Sequence, residues 1–226
     1  MALLKLPERS LVADQVYDAI HHAIMSGDIP AGSRLRIRDL ADKLGTSPMP
    51  VRDTIVRLEQ AGLAQRVPHK GAVVTKLSPS ELVAVYDARL LLEREATRLG
   101  SQRLTRSEAT QMRREHQKLM AALEADDWAE ALNRDEALLA VLYEASGNDV
   151  IVELIRGLWQ RCRAYKLLGV RVDGKGAGNH ADPEVWSFQE PLIAAAADHD
   201  TEAAVKITEL SLTSATARIK SMLDAS

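Results

Sequence analysis

The strongest constraint on the fold lies in the first third of the chain, where glycine and proline cut short helical periods to fixed lengths. Between residues 11 and 25, Val12, Val16, Ala19, Ile20, Ala23 and Ile24 recur at helical spacing, and Gly27 and then Pro30-Ala31-Gly32 stop the pattern. A second short helix is predicted from Ile37 to Leu44, with Ile37, Leu40, Ala41 and Leu44 inward and Gly45 ending it. Ser47 is a good N-cap and Pro48 a good first residue for a third helix that buries Val51, Ile55 and Leu58. Gly62 supplies a left-handed cap after it. Residues 63–66 and 72–75 read as strands joined by the turn Val67-Pro68-His69-Lys70-Gly71. Three helices followed by a tight hairpin make a winged helix-turn-helix.

In that motif the third helix enters the major groove of DNA with its N-terminal residues toward the base edges. Here those residues are Thr46, Ser47, Pro48, Met49 and Arg52. Arg52 follows the inward Val51 by one residue, so it points about 100° away from the core face. Arg38 stands on the outer side of the preceding helix, and a guanidinium can bind guanine O6 and N7 together. The wing offers His69 and Lys70 to the backbone or minor groove, with Gly71 allowing close approach. Other readings stand beside these: Arg52 as a solvated surface charge, Met49 capping an apolar patch rather than touching a thymine methyl.

Charge is divided along the chain. Residues 1–77 carry 11 Lys and Arg against 8 Asp and Glu, whereas the remainder is acidic enough to bring the whole to −3. A basic first part and an acidic second part agree with nucleic acid at one end only. Aliphatic residues dominate the hydrophobic 46% and aromatics make up 4%, which favours helices over a β-sandwich. No apolar run reaches the length of a membrane span, and residues 1–9 lack the pattern of a secretory signal. The single cysteine, Cys162, reads as a helix-packing residue, and a cytoplasmic location is expected.

Beyond residue 77 the pattern is helical throughout. Ser78-Pro79-Ser80-Glu81 and Thr105-Arg106-Ser107-Glu108 are capping boxes. Helices are predicted over 79–99, 106–125, 127–145, 149–168, 181–198 and 200–223, with a glycine-rich loop over 169–178. The expected architecture is mainly α: a winged helix-turn-helix over 1–77, then an all-helical antiparallel bundle of six to seven helices over 78–226. The space between bundle helices is a natural ligand site.

The stretches Gly27-Asp28-Ile29-Pro30-Ala31-Gly32-Ser33-Arg34-Leu35, Leu40-Ala41, Leu44-Gly45-Thr46-Ser47, Pro50-Val51-Arg52-Asp53, Leu58-Glu59-Gln60-Ala61-Gly62-Leu63 and Pro68-His69-Lys70-Gly71-Ala72-Val73-Val74 resemble the GntR family at its order and spacing. One departure is Pro48, where that family usually carries a base-reading arginine. The second part resembles the C-terminal (FCD) domain of the FadR subfamily through Tyr86-Asp87-Ala88-Arg89, Leu92-Glu93, Asp135, Leu142-Tyr143-Glu144-Ala145-Ser146-Gly147-Asn148 and Asp200-Thr201-Glu202-Ala203-Ala204. The resemblance implies a homodimeric transcription repressor. A small effector, carboxylate or acyl in character, would bind inside the bundle and modulate affinity for an operator.

The resemblance also implies where that effector sits. Many members of the subfamily hold a divalent metal with an Asp and three His. Here Asp135 is retained, but the three histidine positions fall on Leu139, Gln189 and Ser211, so no metal cofactor is expected. Arg89 either pairs with an effector carboxylate or forms an ion pair with Glu93 four residues on. Arg163 and Trp186, with Trp159, Tyr165 and Phe188, either line a pocket or pack the core, whereas Tyr143 and Glu144 are expected to be structural. A metal-sensing regulator of the same fold is the nearest alternative. An enzyme is disfavoured, because no phosphate-binding glycine loop, nucleophile–His pairing or HExxH motif is present.

Overall fold

A computed structural model describes residues 9–171 and 186–224, and the chain divides into two compact units, Met1–Lys76 and Leu77–Ser226. The first contains α1 (Arg9–Met25), α2 (Ile37–Leu44), α3 (Pro48–Gln60) and a hairpin of β1 (Ala64–Val67) and β2 (Gly71–Val74). Val16, Ile20 and Ile24 of α1 meet Ala41 of α2 and Val51, Ile55 and Leu58 of α3 in one core, sealed by Leu35, Leu63 and Val74. Burial of each such side chain contributes about 1.5–3 kcal/mol before entropy is counted. Gly45, at φ 63°, ends α2, and the Thr46 N–H reaches back 3.0 Å to the Ala41 carbonyl. This closure reverses the chain at one residue, in a conformation that costs a side-chain-bearing residue about 1–2 kcal/mol.

Two local expectations need correction. Ser47 occupies the N-cap position of α3, but its hydroxyl makes no bond to the helix. Extended backbone at Ser47 and Pro48 at the helix start set the entry instead. The strands are displaced by one residue from the predicted 63–66 and 72–75 and pair from Ala64↔Val74 to Val67↔Gly71. Leu63 cannot begin the ladder in the same way, because its N–H is held by the Leu58 carbonyl at the end of α3.

The second unit comprises α4 (Pro79–Ser101), α5 (Arg106–Glu124), α6 (Trp128–Glu144), α7 (Asp149–Arg171), α8 (Gln189–Ala197) and α9 (Thr201–Asp224). Both capping boxes form, Ser78 with Glu81 and Thr105 with Glu108. α4 packs against α6, α7, α8 and α9, and α5 lies on α6 and α8. The main core gathers Met112 of α5, Leu138 and Leu142 of α6, Ile155 and Trp159 of α7 and Leu192 and Ile193 of α8. α7 runs through Gly169 to Arg171, three residues into the predicted glycine loop, since one helical glycine costs only about 1 kcal/mol. Residues 172–178 of that loop lie outside the described residues. Of the helix predicted over 181–198, residues 181–185 lie outside the described residues, and α8 begins at Gln189. Trp186 lies in a short turn ahead of it, with its indole packed against the α5 and α6 side chains Leu119, Ala122 and Ala131.

The interior of this bundle is crossed by a polar chain. Glu93, 1% exposed, accepts from Arg89 Nε at 2.7 Å and Trp159 Nε1 at 2.8 Å through Oε1, and from the Tyr143 hydroxyl at 3.0 Å through Oε2. The Arg89 guanidinium also lies 4.6 Å from the centre of the Tyr86 ring. Burial and the neighbouring Glu93 together hold the Tyr143 hydroxyl well above its ordinary pKa. Arg89 is likewise held firmly charged: burial opposes its charge, but Glu93, Cys162 and Tyr86 together outweigh it.

These contacts set the stability of three variants. A Cβ added at Gly100 of α4 would stand 2.0 Å from the Leu142 carbonyl oxygen of α6, whereas one at Gly157 of α7 meets nothing. Gly100→Ala should therefore destabilise by about 3 kcal/mol, at the upper end of overpacking costs. Gly157→Ala should be neutral or stabilise by roughly 0.5–1 kcal/mol. Glu93→Ala strands one buried cation and two donors and should cost about 3–5 kcal/mol. Urea unfolding followed by circular dichroism measures all three.

Candidate DNA interface and interior ligand site

In the first unit, buried Val51, Thr54, Ile55 and Leu58 hold one face of α3 to the core, so the opposite face is outward. Ser47, Pro48, Met49 and Arg52 are exposed, Met49 at 61%, and Thr46 is half-buried. Arg38 on α2 is exposed as well. The cations of this unit fall into two groups. Arg36 pairs with Asp39, Arg57 with Asp14 and Arg66 with Glu59. Arg38, Arg52 and Lys70 have no ion pair among the described residues. Among the cations without an ion pair are thus those on the start of α3, the outer side of α2 and the wing. An unpaired guanidinium meets a base or phosphate without first breaking an internal contact.

The wing is built by a tight turn. The Lys70 N–H donates to the Val67 carbonyl at 3.0 Å, with Pro68 at the second position and His69 at φ 61° in the third. That is the geometry of a type II turn, whose third position normally holds glycine. It lifts the His69 and Lys70 side chains into solvent, and Gly71, at φ 74°, begins the return strand.

In the second unit the residues singled out from the sequence separate into groups. Asp135 and Gln189 come together: Gln189 Nε2 donates to Asp135 Oδ1 at 2.8 Å, across α6 and α8, with both side chains buried. Burial raises the pKa of Asp135, and Lys166 and the Gln189 bond oppose that rise. Among the described residues, Gln189 Oε1 is buried with no hydrogen-bond partner, and so is Trp186 Nε1. Leu139 is half-buried against the apolar core. Ser211 is half-buried on α9 and is joined to neither Asp135 nor Gln189 by a hydrogen bond among the described residues. Arg89 takes the Glu93 ion pair. Arg163 is bound to Glu136 at 2.8 Å and to Asn133. Lys166, which no local pattern marked, shares Glu136 at 3.4 Å. Its partner lies 30 residues away on α6, so only the assembled bundle reveals the contact.

The metal site that the resemblance brought to mind does not fit these residues. Its four positions supply one carboxylate, one alkyl chain, one hydroxyl and an amide whose nitrogen is already turned to the carboxylate. Transition metals require imidazole, thiolate or several carboxylates. Among the described residues no three His, Cys, Asp or Glu are grouped to hold one. His199 instead places Nδ1 2.7 Å from the Ser101 carbonyl, and His180 lies outside the described residues. No described helix is long and apolar enough to cross a membrane.

Residues 12–74 match the family of bacterial regulatory proteins, gntR family, and residues 84–213 match the FCD domain. The HTH-type transcriptional regulator McbR of Escherichia coli K12 is 27% identical over 147 residues, 65% of this chain and 66% of McbR. An HTH-type transcriptional regulator of Mycobacterium tuberculosis is 29% identical over 96% of this chain and 94% of its own length. A probable D-xylose utilization operon transcriptional repressor of Paenarthrobacter nicotinovorans is 38% identical over 93 residues, 41% of each chain. Among solved structures, E. coli McbR superposes with a TM-score of 0.80 at 23% identity over 93% of this chain and 97% of that one. These relatives are regulators of transcription, not enzymes. The chain belongs to the GntR family of DNA-binding transcriptional regulators, FadR-like, with a winged helix-turn-helix followed by an FCD domain.

Proposed function

We propose that this regulator is a cytoplasmic repressor that binds its operator as a homodimer and is controlled by a small organic effector held inside the helical unit. The observation that carries the DNA half is the untied Arg52 on the outward start of α3, flanked by Arg38 and the wing. Arg52 and Arg38 read base edges, Thr46, Ser47, Pro48 and Met49 shape the contact surface, and His69, Lys70 and Gly71 of the wing meet the sugar-phosphate backbone. Pro48 removes one donor from the reading face, so the operator differs from those read by relatives with arginine there. A repressor among the relatives supports repression. Two copies would present two α3 helices to an inverted repeat.

For the effector half, support comes from the joined Asp135–Gln189 pair and the unmet polar atoms beside it, which lie where the bundle core would otherwise be apolar. An effector there acts on operator affinity only through a difference in its affinity for the DNA-bound and free arrangements.

The two classes of DNA contact are separable by fluorescence anisotropy on a duplex selected by the wild-type protein. Arg52→Ala should weaken binding to that duplex at least about tenfold, while leaving binding to unrelated DNA nearly unchanged. Lys70→Ala should weaken both alike and lower the slope of log affinity against log salt by about one. Unchanged specific affinity in Arg52→Ala would refute the assignment of α3.

A further inference from the structure

We infer that the interior site at the α6–α8 seam takes a neutral, hydroxyl-bearing ligand of the polyol or sugar class rather than a carboxylate; this rests on the effector reading above. A carboxylate effector needs a free cation, and the three cations of this interior are already matched. Arg89 is paired with Glu93, and Arg163 and Lys166 share Glu136. Asp135 has no ion pair among the described residues, and its charge faces the same seam. An incoming carboxylate would therefore be repelled by Asp135 and meet only cations already paired with glutamates, Lys166 and Arg89 reaching Asp135 through space alone. In a site of low dielectric that repulsion is scarcely screened.

The unmet hydrogen-bonding groups say what would be welcomed instead. Gln189 is 6% exposed, and because its Nε2 is committed to Asp135, its Oε1 is fixed as an acceptor without a donor. Trp186 Nε1 is the converse, a buried donor without an acceptor. The two side chains stand three residues apart at the start of α8. Gln189 lies against Asp135, and Trp186 packs against the cluster of Leu119, Ala122 and Ala131, the last of these one turn before Asp135 on the same face of α6. Orphaned polar atoms of opposite kind along one seam are complementary to a group that both donates and accepts. A hydroxyl does both. A carboxylate could accept from Trp186 but has nothing to give Gln189. An ammonium could give to Gln189 and Asp135 but has nothing to accept from Trp186. Two neighbouring hydroxyls on a short carbon chain satisfy the whole set without adding charge.

Matched pairs of probes that differ only in the acid function test this on the full-length protein. Ribitol, D-ribose and D-glucose are compared with D-ribonate and D-gluconate by thermal shift and tryptophan fluorescence, using wild type, Asp135→Asn, Gln189→Ala and Arg89→Lys. A neutral probe at about a hundred times its Kd should raise the unfolding midpoint by roughly 5 °C or more. The matching acid should give no shift, and the response should be lost in both Asp135→Asn and Gln189→Ala. Asp135→Asn is isosteric, so a fold that unfolds normally but ignores the probe separates recognition from damage. If the acids bind instead, and Arg89→Lys removes their effect, the ligand class is overturned while the interior effector site stands. If a neutral probe binds equally well to Asp135→Asn and Gln189→Ala, its site is elsewhere and the inference fails. If neither class shifts wild type, both the ligand class and the effector reading fail.

Discussion

The interior of the helical unit is organised around Glu93. Its carboxylate is saturated by Arg89, Trp159 and Tyr143, and it ties α4, α6 and α7 together in the middle of the bundle. A charge placed so deep is tolerated only when paired and fully hydrogen-bonded. The pairing commits Arg89 to Glu93, which under the proposed effector reading leaves it closed to a carboxylate ligand. The same logic holds for Arg163 and Lys166, which neutralise Glu136 rather than wait for a ligand.

The DNA-binding unit obeys the opposite economy. Its interior is apolar but for Thr54, and the proposed reading face keeps Arg52 and Arg38 free of ion pairs among the described residues. The Gly45 turn fixes α3 across α1 and α2, and Val51, Ile55 and Leu58 fix its rotation. Arg52 then points outward because it follows Val51. Nothing in that chain of causes depends on DNA being present, so the recognition surface is preformed.

Much of this was legible in the sequence. Glycine and proline punctuation marked the helices of the first unit, since only a few residue types tolerate those backbone angles. Capping boxes marked the starts of α4 and α5 for the same local reason. What escaped was non-local. The sequence left Arg89 free to pair with a ligand or with Glu93, and only the convergence of Tyr143 and Trp159 on the same carboxylate explains the outcome. The turn at 186–188 escaped because Trp186 and Phe188 continue an apolar pattern although Trp186 packs from a turn. Lys166 and Glu136 meet across 30 residues, with no pattern along the chain to announce it.

The central claim is that the outward face of α3 reads a specific duplex sequence. Selection of bound duplexes from a random pool by the full-length protein, followed by sequencing, tests it most directly. The account predicts enrichment of one inverted repeat, with bound DNA displaced far more readily by that repeat than by unrelated duplex. A pool that stays random through successive rounds, or displacement by any duplex at equal concentration, would contradict it.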